Sequence, residues 1–146
     1  MSRFCSFLFL TSQLINIYAA VFRAQGKVND VYDTCSSVLV KLGESIPGSS
    51  TVNTSEIILT TLYMYRQVGT KWLEGEKTDD KTLNTTLQLY RAIALASFYC
   101  KSHKTVVYFT CKAVQLSLQR GLCEFSLSAL MQFASVTTAD DNAVFC

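Results

Sequence analysis

Proline is nearly absent from this sequence: Pro47 is the only one in 146 residues, and only six residues are glycine. Proline breaks helices and glycine loosens them, so their scarcity excludes a loop-rich or low-complexity chain and suits long helices. Charge is scarce as well. Lys, Arg, Asp and Glu make up 16% of the residues, and the 13 basic and 11 acidic ones are spread along the whole length. No basic stripe is present, so nucleic acid is not an expected partner. Histidine occurs once, at His103, and the six cysteines contain no CxxC pair. That pattern supplies neither the close ligand pairs of a structural zinc site nor a regular disulfide framework. Reduced, buried thiols in a cytoplasmic protein are expected instead.

Apolar side chains are abundant, at 49% of residues with a mean hydropathy of +0.23. A chain of this length can bury one core, so residues 1–146 are expected to form a single helical domain or fragment. Its excess of apolar surface calls for neighbours beyond its own helices. Phe4 to Phe22 is the longest uncharged run, with 14 apolar residues among 19. Thr11, Ser12, Gln13 and Asn16 interrupt it, and its pattern leads into a turn at Gly26, which favours a buried helix over a membrane span. The alternative is a small membrane-anchored or secreted helical protein with residues 4–22 as signal anchor. Only then would the sequons Asn53-Thr54-Ser55 and Asn84-Thr85-Thr86 matter.

Val28, Val31, Tyr32, Cys35, Val38, Leu39 and Leu42 hold the spacing of one helix face. Gly43 ends that helix, Pro47 prevents its continuation, and residues 43–53 form a loop. A third helix starts at Thr54 or Ser55 with Glu56 in its first turn, carries Ile58, Leu62 and Tyr65 on one face, and ends near Gly69. Residues 70–81 read as a polar connector anchored by Trp72 and Leu73. Leu83, Leu87, Tyr90, Ala94 and Phe98, with Leu89, Ile93, Ala96 and Cys100 on a second face, mark a helix buried on both sides. Lys101 to Lys104 breaks the chain. Val107, Val114 and Leu118, with Val106, Phe109, Ala113 and Leu116, mark a fifth helix ending at Gly121. A sixth spans about Ser126 to Thr137, using Leu127, Leu130, Met131 and Ala134. No stretch reads as a strand pair with a hairpin turn, so the expected fold is all-α, with about six helices.

Ile15, Tyr18, Ala19 and Phe22, then Gly26, then Val28, Val31, Cys35 and Val38 resemble the core of a tetratricopeptide helix-turn-helix repeat. There a small residue lets the helices approach and a glycine turns the chain. Val31 and Val38 stand where alanine is usual, and no 34-residue period recurs, so the resemblance implies a short, degenerate solenoid of stacked antiparallel hairpins. Three stretches carry a wider resemblance: Ala24 to Pro47, Met64 to Glu76, and Ala113 to Val136. In this order they resemble the helical region that follows the ATPase module in large multidomain signalling ATPases and sensor kinases of diatoms and related microbes. The resemblance covers about Leu14 to Val136 and implies a scaffold contacting proteins or neighbouring domains. It brings no nucleotide site with it.

The residues that invite chemistry each have a plainer reading. Gly43 to Ser50 has the glycines and the final serine of a phosphate-binding loop, but Ser49 replaces the lysine that would neutralise the phosphates. Cys100 and His103 have a CxxH spacing near Cys111 and Cys123, without the second close pair that tetrahedral zinc needs. A Cys/His nucleophile pair would still lack its orienting group. Glu74, Glu76, Asp79 and Asp80 lie on the polar connector, where carboxylates are solvated and their pKa values are not driven apart. Tyr63, Tyr65, Tyr90, Tyr99 and Tyr108 have the spacing of packing residues. No catalytic, cofactor-binding or metal residue is therefore expected. The protein is expected to be no enzyme, and the candidate functional residues are those of the repeat core.

Overall fold

A computed structural model describes residues 27–48 and 51–144. These residues form five α-helices and no strand: α1 (Val28–Lys41), α2 (Thr54–Glu74), α3 (Lys81–Cys100), α4 (His103–Arg120) and α5 (Ser126–Val144). The all-α class expected from periodicity is present. Ile15, Tyr18, Ala19, Phe22 and Gly26 lie outside the described residues, as does the whole apolar run 4–22.

Each helix end has a local cause. Beyond α1, Gly43 takes φ +90, and the Gly43 and Glu44 amides donate to the Val40 and Leu39 carbonyls, both at 3.0 Å. The two bonds satisfy carbonyls that the helix end leaves open, and the left-handed turn favours a residue without Cβ. Helix α2 starts at Thr54, one of the two starts expected from the sequence. Asn53 is the cap, its side-chain oxygen accepting from the Glu56 amide at 3.1 Å, and Thr54 is already helical. Asp80 caps α3 in the same way, accepting from the Leu83 amide at 3.1 Å. Gly121, at φ +120, ends α4.

The core centres on the hairpin of α3 and α4, which a two-residue link, Lys101–Ser102, holds close. Asp80 meets Arg120 at one end and Tyr90 packs on Phe109 further along, so the two helices run antiparallel. Helix α1 lies on α3, also antiparallel: Tyr32 sits under the Lys101 ammonium at 4.8 Å, while Glu44 reaches the Tyr90 hydroxyl. Helix α2 packs chiefly on α4. Its start shares a cleft with Tyr108 and Lys112, Thr61 bonds Gln115, and Trp72 bonds Ser117 near the end of α4. Helix α5 also packs on α4. Thus α3–α4 and α4–α5 pack as consecutive hairpins, whereas α1 skips to α3 and α2 skips to α4.

Several expectations are corrected. The polar connector does not begin at residue 70: α2 runs through Gly69 to Glu74, and only residues 75–80 connect it to α3. Burial of Trp72 outweighs the glycine, since a docked indole removes far more apolar surface than one glycine costs in helix propensity. Leu73, its expected companion, is exposed. The connector is also fastened, with the Thr78 amide donating to the Leu122 carbonyl at 2.6 Å. On α3 both faces are buried as expected, except that Phe98 is 69% exposed.

Helix α5 extends past Thr137 to Val144 and buries a face that only partly matches the expected one. Ala129, Phe133 and Val136 point inward and Leu130 is half-buried against the core as expected, while Leu127, Met131 and Ala134 are exposed. Both stripes have helical spacing. The one with the small Ala129 allows close approach to α4 and buries the larger Phe133 ring.

Candidate functional site

The described repeat-core residues all belong to one face of α1. Val31 and Cys35 are buried, and Val28 and Val38 are half-buried against the core. They hold α1 on α3 and offer no surface to a ligand. Burial pushes the Cys35 thiol up to about 12, so it is neither a nucleophile nor a metal ligand at neutral pH.

The other residues that invited chemistry are dispersed. The described part of the glycine-rich loop, Gly43 to Gly48, follows helix α1, and the next helix begins only at Thr54. A phosphate loop instead joins a strand directly to a helix N-terminus. His103 is exposed in the first turn of α4, Cys111 and Cys123 are buried, and Cys100 is half-buried. Among the described residues no three His, Cys, Asp or Glu side chains converge as metal ligands. Asp80 has a structural position. Burial alone would raise its carboxyl, but the Leu83 amide and the Arg120 guanidinium, 2.5 Å away, outweigh that and hold it below the usual carboxylate range. Asn84, in the second sequon, lies within α3 with its side-chain oxygen buried.

A cleft of about 300 Å³ opens where Pro47, Thr51 and Val52 meet α2 and α4, lined also by Glu56, Thr60, Lys112 and Gln115. Tyr108 forms one wall, donating to the Ser45 carbonyl at 3.3 Å, and its hydroxyl is raised first by burial and then by Glu44. A neutral phenol fixed this way is a wall rather than a base.

The feature that core packing does not explain lies on the outside of α2. Its inner face is accounted for: Thr61 is buried and accepts from the Gln115 amide at 2.9 Å, and the Trp72 indole donates to the Ser117 carbonyl at 3.0 Å. Ile57, Ile58, Met64 and Tyr65 pack beside them. The opposite face carries Leu59 and Tyr63, both 65% exposed, with Leu62 and Leu73 also exposed. Residues 59, 62, 63, 66, 70 and 73 have the period of a single helix stripe, so these side chains form one continuous face. Isolated exposed leucines need no explanation, but several along one helix face make a candidate contact surface.

Leu62 was expected in the core with Ile58 and Tyr65, and the structure places it outside. The helix has two apolar stripes, and periodicity alone does not tell which one meets α4. The readable signal was the seven-residue spacing of Leu59, Arg66 and Leu73, which continues through the supposed connector.

No helix among the described residues is long and apolar enough to cross a membrane. No family model, curated protein or solved structure matches this chain.

Proposed function

We propose that the chain is a non-catalytic helical scaffold that holds proteins or neighbouring domains together, as a short, degenerate tetratricopeptide-like array within a cytoplasmic signalling protein of the ATPase or kinase type. The observation that carries this reading is the exposed apolar stripe on α2. The two consecutive hairpins, α3–α4 and α4–α5, supply the rigid support that such a face needs. The origin in a signalling ATPase rests on the three-stretch resemblance, and the scaffold role on the stripe.

The test is site-specific photo-cross-linking in extract from the source cells. A benzophenone side chain at Tyr63 is expected to give discrete protein adducts, and the same group at Thr60, on the polar flank of α2, is expected to give none. Leu59→Asp should remove the Tyr63 adducts while leaving the circular dichroism unchanged. Equal, diffuse labelling from both positions would count against a contact face.

A further inference from the structure

We propose that the outer face of α2 receives an amphipathic helix of about four turns that presents a carboxylate to Arg66. This rests on the scaffold reading above and specifies the partner's chemistry. Leu59, Arg66 and Leu73 are seven residues apart, with Leu62 three residues after the first, which is the a and d spacing of a coiled-coil seam. From Leu59 to Leu73 the seam extends roughly 21 Å at about 1.5 Å per residue, a length matched by a partner helix of about 14 residues.

Arg66 occupies the middle of this seam. It is exposed, and the described residues give it no ion pair. An apolar partner laid over it would bury an uncompensated guanidinium, which is far costlier than leaving the face open. A partner with a carboxylate at that point removes the penalty, and a single charged a position also fixes register. A symmetric pairing of two copies centred on this seam would set Arg66 against Arg66. Charge complementarity therefore selects a different, acidic helix.

The experiment uses two synthetic 18-residue helical peptides with identical leucine and alanine heptads, one with Glu and one with Lys at the central a position. They are titrated into the full chain and followed by fluorescence anisotropy. The Glu peptide is expected to bind about tenfold more tightly than the Lys peptide, the result of exchanging an attraction for a repulsion at a partly desolvated pair. Arg66→Glu should invert that preference with helicity unchanged. If Leu59→Asp and Tyr63→Asp abolish binding but Arg66→Glu leaves the preference intact, the contact face stands and the acidic partner falls. Binding unaffected by Leu59→Asp and Tyr63→Asp, or no binding of either peptide, overturns the proposal. So does a dimer in sedimentation velocity that Tyr63→Asp dissolves, which would give the face to a second copy.

Discussion

Trp72 donates its indole N–H to the backbone carbonyl of Ser117, 3.0 Å away, and this bond locks the end of α2 to the end of α4. The same carbonyl accepts from the Gly121 amide at 2.8 Å, and the Ser117 hydroxyl lies 2.5 Å from that of Ser126. One residue thus joins the end of α2, the turn after α4 and the start of α5. Ser126 completes the arrangement by accepting from the Cys123 amide at 2.8 Å.

Replacing Trp72 separates the bond from the packing. Trp72→Phe keeps most of the buried ring and loses a donor whose acceptor remains satisfied by Gly121, so it should cost about 1 kcal/mol. Trp72→Ala should cost about 3–5 kcal/mol through the cavity it leaves. Urea unfolding followed by circular dichroism measures both, and equal losses would show that the hydrogen bond, not the packing of the ring, carries the anchor.

At the other end of this region, Asp80 both caps α3 and pairs with Arg120. Asp80→Asn keeps a capping oxygen and loses the ion pair, which is partly exposed and so worth less than about 1 kcal/mol. Asp80→Ala loses the cap too, and should cost roughly 1 kcal/mol more. The difference between the two variants in denaturant midpoint isolates the cap.

Stability should decline in alkali. Cys35 stays protonated in the folded chain up to about 12, while in the unfolded chain it ionises near 9, so the folded state binds the extra proton between those values. Stability is therefore level below pH 9 and falls above it, by about 1.4 kcal/mol per pH unit for each such group. Tyr90, raised first by burial and then by Glu44, adds to the slope above its ordinary value of 10. Asp80 acts in the opposite sense, its contribution fading only as pH drops below the usual carboxylate range. Thermal unfolding of Cys35→Ala between pH 8 and 11 should show a shallower alkaline decline than the parent, from a lower starting stability. An unchanged slope would remove Cys35 from the account.

The two α5 stripes can be told apart by substitution. Met131 is 72% exposed, and Met131→Gln should change stability by no more than about 0.5 kcal/mol. Phe133 is buried, and Phe133→Ala should cost roughly 3–5 kcal/mol. The reverse order would restore the face expected from the sequence.

Most helices were legible because their signals are local. The α1 face from Val28 to Leu42 and the Gly43 stop need only spacing and one glycine, and the structure reproduces both. Two apolar faces on α3 could likewise be read without knowing what covers them. Where a helix has two stripes, as α2 and α5 do, periodicity leaves the choice to the neighbour's shape: Leu62 on α2 and Leu127, Met131 and Ala134 on α5 lie outside, while Ile58, Tyr65 and Leu130 pack inward as expected. Trp72 shows the same limit, since a polar stretch became helix through a contact 45 residues away. The Ser117–Ser126 junction left no trace in the sequence, because two serines near a turn look like any solvated loop. The candidate face was missed for a related reason: Leu62 was assigned to the core that Thr61 occupies.

The skipped order of packing has a consequence for how the chain assembles. Helices α1 and α2 each wait for a partner made later, whereas α3 and α4 can close on each other across two residues. Local contacts form fastest and loop closure slows distant ones, so the α3–α4 hairpin should nucleate folding. During synthesis α1 and α2 emerge before α3 and α4, the helices that cover their inner faces, which makes that interval the one in which this part of the nascent chain most needs protection from aggregation.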